Sequence, residues 1–215
     1  MTQMKTDVIK RIRDIGVIPV VRASSADEAM RAIDAIRAGG ISVLEITMTV
    51  PGAVSVIEQV TARFGSEALV GAGTVLDAET AKACVSSGAQ FIVSTALNFD
   101  TIAYCREHDI VVMPGALTPT EVVQAWNAGA DFVKVFPAGA VGGPSYLKSL
   151  KAPLPQIELV PTGGVSLKTA ADFIRAGAAA LGVGADLVDI KAESSLITER
   201  ARQFVEIVRQ AREEL

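Results

Sequence analysis

Ala130-Asp131-Phe132-Val133-Lys134-Val135-Phe136-Pro137 sets one lysine in the middle of an otherwise apolar run. Read as a strand, its period of two puts Phe132, Lys134 and Phe136 on one face and Val133 and Val135 on the other, so neither face looks wet. An ammonium in such surroundings loses hydration, which favours the neutral amine, a nucleophile for carbonyl carbon. The bland alternative is a lysine that snorkels to solvent or pairs with an acid only to satisfy its charge. The rest of the chain has to decide.

Working outward, the run is the sixth of eight similar units. Upstream, Val17-Ile18-Pro19-Val20-Val21, Ser42-Val43-Leu44-Glu45-Ile46-Thr47, Leu69-Val70-Gly71-Ala72-Gly73-Thr74, Phe91-Ile92-Val93-Ser94 and Ile110-Val111-Val112-Met113 read as strands. Downstream, residues 158–161 and 180–183 do the same. Helices intervene, opening near Ser24-Ser25, Pro51-Gly52, Asp77, Phe99, Thr118 and Ser166 and ending in Ala-Gly or Ser-Gly pairs of the kind that cap a helix before a strand. Thr118-Pro119-Thr120-Glu121 has capping-box spacing with proline at the first helical position. A lead-in helix with Val8, Ile12 and Ile15 on one face stops at Gly16, and a long helix from about residue 194 to 212 closes the chain. Strands alternating with helices over 215 residues point to one (β/α)₈ TIM barrel spanning residues 1–215, with an extra N-terminal helix. An open doubly wound sheet is the other arrangement, but Gly71-Ala72-Gly73-Thr74-Val75-Leu76 lacks the third glycine of a dinucleotide turn.

Composition removes several classes of function. The net charge is only −4 and the 20 Lys and Arg residues are scattered, which argues against nucleic acid and anionic membrane as partners. No apolar segment has signal-peptide or transmembrane length, so the protein is expected in the cytoplasm. Cys84 and Cys105 fall in helical patterns as core filling and suggest no disulfide framework. His108, the single histidine, sits in a polar turn and reads as a surface residue, which removes histidine-rich metal sites and Ser-His-Asp triads.

In this fold reacting groups lie on inward-facing positions at the C-terminal ends of strands. By that parity Arg22 follows Ile18 and Val20, Glu45 lies between Val43 and Thr47, Thr74 follows Val70 and Ala72, and Lys134 lies between the two phenylalanines. Glu45 beside Lys134 supplies the proton shuttle that carbinolamine chemistry needs. Arg22 and Thr74 can hold a substrate carboxylate. After strands seven and eight, Thr162-Gly163-Gly164-Val165-Ser166 and Gly182-Val183-Gly184-Ala185-Asp186-Leu187 let a phosphate approach the backbone closely.

Leu44-Glu45-Ile46-Thr47, Gly71-Ala72-Gly73-Thr74-Val75, Phe132-Val133-Lys134-Val135-Phe136-Pro137-Ala138 and Pro161-Thr162-Gly163-Gly164-Val165 resemble, in order and spacing, the 2-keto-3-deoxy-6-phosphogluconate (KDPG) aldolase family, including its phosphogalactonate branch. The resemblance spans nearly the whole chain. It implies a class I, Schiff-base aldolase of the Entner–Doudoroff type, a homotrimer with neither metal nor cofactor, cleaving a phosphorylated keto-sugar acid to pyruvate and glyceraldehyde 3-phosphate. Lys134 would be the Schiff-base lysine and Glu45 the acid/base. Thr74 would sit at the pyruvate carboxylate, and Thr162, Gly163, Gly164, Gly184 and Ala185 near the phosphate. Two departures stand out. Thr49 occupies a position where many members carry an arginine for the carboxylate, leaving Arg22, which resembles the arginine of the phosphogalactonate branch, for that role. Ser94-Thr95 replaces a common Ser-Pro. The rival functions are another phosphate-binding barrel isomerase or synthase, and a non-catalytic phosphometabolite-binding protein.

Overall fold

The helix expected from Val8, Ile12 and Ile15 is α1 (Lys5–Ile15), and it ends where Gly16 takes a left-handed φ of 66°. This computed structural model describes residues 4–215. Met1, Thr2 and Gln3, on which the expectation of no leader partly rests, lie outside the described residues.

The repeat then runs β1 (Val17–Val21), α2 (Ala26–Ala38), β2 (Val43–Thr47), α3 (Ala53–Phe64), β3 (Leu69–Gly73), α4 (Ala78–Ser86), β4 (Phe91–Val93), α5 (Phe99–Glu107), β5 (Val111–Met113), β6 (Gly115–Ala116), α6 (Pro119–Asn127) and β7 (Val133–Val135). It continues with α7 (Pro144–Lys151), β8 (Leu159–Pro161), α8 (Ala170–Arg175), β9 (Leu181–Val183) and α9 (Ser194–Glu213). Side chains of Ser25, Asp77 and Asn98 accept from backbone N–H groups three residues on and start α2, α4 and α5. Thr118 and Glu121 form the expected capping box at α6.

Every strand pairing is parallel. One sheet runs β5-β4-β3-β2-β1-β9 and a second β6-β7-β8. They are joined through Pro114, which has no N–H to donate and divides the fifth barrel strand into β5, paired with β4, and β6, paired with β7. Bridges Leu159 to Ala178 and Thr162 to Gly182 close the ring between β8 and β9. The sheet is therefore a closed (β/α)₈-type barrel and not an open doubly wound one.

Closure separates two cores. Ile18, Val43, Leu69, Phe91, Val111, Phe132, Val160 and Ala180, one from each barrel position, pack together inside the N-terminal half, with Val8 and Ile12 of α1 plugging that end. The alternate residues, among them Leu44, Ile46, Ile92, Val133 and Val135, pack outward against the helices. Apolar filling thus occupies one end of the barrel and leaves polar inward side chains to the other.

Four expectations need correction. On β3 the inward residues are Leu69, Gly71 and Gly73, not Val70, Ala72 and Thr74. Space decides this: a β-carbon on Gly71 would stand 2.3 Å from the Phe91 ring, and one on Gly73 would stand 2.0 Å from Glu45 Oε1. The lysine strand is ordered into the ladder only over Val133–Val135. The helix expected from Ser166 begins at Ala170, because the Thr169 hydroxyl takes the Ser166 N–H at 2.9 Å and donates to Gly164 O at 3.0 Å, holding a turn there. Finally, α7, opened by Pro144 with Leu147 and Leu150 buried, fills a stretch for which the sequence reading names no helix.

Candidate active site

Lys134 stands at the middle of β7, with Phe132 below it in the barrel floor and Phe136 above it. Its side chain is 1% exposed, and its Nζ lies 5.6 Å from the centre of the Phe136 ring. Across the barrel on β2, the Glu45 carboxyl is 3% exposed, with Oε1 3.9 Å from Lys134 Nζ. That separation exceeds a hydrogen bond, so the contact is electrostatic, and among the described residues Oε1 has no hydrogen-bond partner. Burial raises the Glu45 pKa above the ordinary carboxylate range, and the charges of Lys134 and Arg22 oppose that rise without cancelling it. Glu45 therefore keeps its proton to higher pH than an exposed glutamate, which suits a group that must both accept and donate one.

A cleft of about 470 Å³ opens at the C-terminal end of the barrel, lined not by Lys134 or Glu45 themselves but by their neighbours Phe136 and Val20 and the loops above. Arg22, Thr162, Gly163, Gly164, Gly184 and Ala185, all expected at the site, line it together with Phe136 and Val20, and Val20 pairs in register with Glu45. Arg22 is exposed at the end of β1, next to the β9 loop, because β1 and β9 are neighbours. Gly163 and Gly164 are both left-handed, at φ 82° and 77°, so the backbone turns twice in succession after β8. That turn is fastened to the lysine strand and to the turn just after it: Thr162 N–H donates to Val135 O at 2.9 Å, Ala138 N–H to Thr162 O at 2.9 Å and Gly139 N–H to Gly163 O at 2.8 Å.

Thr74 does not line this cleft. It stands just past β3 at φ 60°, a conformation rare for a β-branched residue, with its Oγ1 buried and, among the described residues, unpartnered. Thr49 is engaged locally. Thr47 spends its single hydroxyl hydrogen on Val21 O at 3.0 Å, so at 2.6 Å Thr49 is the donor to Thr47.

The sequence reading missed Asp189 and Lys191, which line the cleft beyond Ala185, and gave no role to Asp186, which lines it too. The signal available was the length of the loop between β9 and α9. Arg31 of α2 holds this loop, donating to Ala192 O at 3.1 Å and also to Ile190 O. Among the described residues no three His, Cys, Asp or Glu side chains gather to hold a metal ion, and no helix is long and apolar enough to cross a membrane. His108 is exposed and stacks on Tyr104, and Cys84 and Cys105 are buried free thiols, pushed up by burial to about 11 and about 12.

Residues 8–210 match the family described as KDPG and KHG aldolase. This chain belongs to that aldolase family. A relative from Escherichia coli K12, 2-dehydro-3-deoxy-6-phosphogalactonate aldolase, is 35% identical over 196 residues, 91% of this chain and 95% of the relative. The KHG/KDPG aldolase of the same organism is 32% identical over 210 residues, 96% and 98% of the two chains. KDPG aldolase from Legionella pneumophila, solved with pyruvate captured at low pH as a covalent carbinolamine, superposes with a TM-score of 0.83 at 30% identity, covering 94% of this chain and 98% of that one. As a member of the aldolase family the chain is a class I carbon–carbon lyase of the KDPG type, and the isomerase, synthase and non-catalytic alternatives are not favoured.

Proposed function

We propose that this chain, acting as one catalytic domain in a cytoplasmic homotrimer, cleaves 2-keto-3-deoxy-6-phosphogluconate or a close epimer to pyruvate and glyceraldehyde 3-phosphate. The observation that carries this reading is the enclosed Lys134–Glu45 pair, 3.9 Å apart, whose neighbours Phe136 and Val20 line a glycine-bearing cleft. The names of the relatives and the carbinolamine of the Legionella enzyme support it.

Neutral Lys134 adds to the C2 ketone, and the proton it sheds passes to the former carbonyl oxygen. Glu45 gives its proton to the carbinolamine hydroxyl, which leaves as water, and the result is a Lys134 iminium and a Glu45 carboxylate. Glu45 takes the proton of the C4 hydroxyl as C3–C4 breaks, the electron pair moves into the iminium, and the aldehyde departs, leaving an enamine on Lys134. Protonation at C3 and hydrolysis then free pyruvate and restore the amine. Phe132 and Phe136 keep water from the amine between these steps. The glycine turns after β8 and β9 receive the phosphate, and we assign the carboxylate clamp to Arg22 alone, since the Thr74 hydroxyl is buried away from the cleft and Thr49 has its hydroxyl hydrogen committed to Thr47.

Incubation with pyruvate, borohydride reduction and peptide mapping by mass tests the reading: the adduct is expected on Lys134, and an unmodified Lys134 sinks the assignment. Comparison of kcat/KM for the gluconate and galactonate phosphates assigns the epimer, and light scattering at three times the monomer mass checks the trimer.

A further inference from the structure

Glu45 is a buried carboxylate whose Oε1 is sealed from solvent and, among the described residues, reached by no hydrogen bond. Such a group is aimed by what it packs against. A β-carbon built on Gly73 would stand 2.0 Å from Glu45 Oε1, 2.6 Å from Cδ and 2.7 Å from Cγ. The Glu45 side chain therefore lies over the bare α-carbon of the neighbouring strand. Register is consistent with this, since Glu45 pairs with Gly71 and Thr47 with Gly73, so the carboxyl reaches one inward position toward the mouth from its own level. Gly73 is not among the residues of positive φ, so its backbone does not require glycine. The space does.

We propose that Gly73 is a positioning residue for the aldol reaction: its missing side chain sets where the Glu45 carboxyl stands relative to Lys134. This rests on Glu45 being the acid/base. A methyl at position 73 displaces the carboxyl from its place beside Lys134, and a misplacement of about 1 Å at a reacting group costs on the order of 100-fold in rate.

A double-mutant cycle separates this role from barrel packing. Gly73→Ala is expected to lower kcat about 100-fold and to move the acid limb of the pH–rate profile. Glu45→Asp, one methylene shorter, retreats from the added methyl. It is costly in the native background, yet it is expected to cost less than about threefold, or to restore rate, in Gly73→Ala. Gly71→Ala is the packing control, because its β-carbon meets Phe91 instead of Glu45, and there Glu45→Asp costs what it costs in the native protein. Additive losses with Gly73→Ala, matching those with Gly71→Ala, overturn the proposal. If Gly73→Ala does not fold, the double variant should recover soluble protein, and failure to do so counts equally against it. Should Glu45→Gln retain full kcat, the acid/base assignment itself falls. Should Glu45→Gln lose rate while the cycle is additive, only the role of Gly73 falls.

Discussion

At the residue scale the site is a carboxyl and an amine deprived of water together, and their division of labour can be separated. Glu45→Gln is expected to lower kcat by about 10²- to 10⁴-fold while the pyruvate adduct on Lys134 persists, because the proposed nucleophile and the proposed proton shuttle are different side chains. Loss of the adduct with Glu45→Gln would contradict that. Burial is the largest influence on Glu45 and raises its pKa. The folded chain then holds this proton more tightly than the unfolded chain, whose glutamate titrates at about 4.3. The resulting stability is fully present below that pH and is lost as pH rises through the raised folded value. The melting temperature of Glu45→Gln should therefore gain on the native protein as pH rises, and parallel curves would refute the sign. Arg22 belongs at this scale too. Its charge reaches Glu45 and its side chain lines the cleft. Arg22→Ala is expected to raise KM about 10- to 100-fold, the worth of a charge-assisted hydrogen bond to a carboxylate, a shift that steady-state kinetics with the keto acid reads directly.

At the element scale the caps and the lead-in helix were legible, and the face of one strand was not. Ser25, Asp77 and Thr118 announce their helices because capping is a local bond between a side chain and an N–H three residues away. Lys134 and Glu45 fell on the inward faces expected of them because bulky apolar neighbours mark their strands. On β3 the alternation of Val70 and Ala72 against Gly71 and Gly73 pointed the wrong way: hydrophobicity alone puts the larger residues inside. In the closed barrel the interior at that level is already filled by Phe91 and Glu45 from neighbouring strands, so only glycine fits. The α1 plug makes a separate prediction. Ile12 is fully buried in the barrel floor. Ile12→Ala should cost about 2–5 kcal/mol in denaturant unfolding, with the chemistry of the folded fraction intact because the floor lies at the end opposite the cleft.

At the scale of the whole molecule, parallel pairing around a closed ring gathers residues from positions 22 to 185 at one mouth, and the hydrogen bonds between the glycine turn and the lysine segment tie the proposed phosphate cradle to the proposed nucleophile. Glyceraldehyde 3-phosphate at about 100 times its Kd should stabilise the fold by about 2.7 kcal/mol. Gly184→Asp, which sets a carboxylate in the cleft, should abolish that thermal shift, and an unchanged shift would place the phosphate elsewhere. The sequence by itself determined the repeat, the barrel, the inward faces of Lys134 and Glu45 and the two glycine turns, since period, caps and composition are properties of neighbours in the chain. Only the tertiary structure decided which face of β3 is inside, that Pro114 divides the fifth strand, that Arg22 shares a cleft with the β9 loop, and that Gly73 makes room for Glu45. Those outcomes depend on which side chains compete for the same volume after the ring closes, and residues far apart in the chain meet only then.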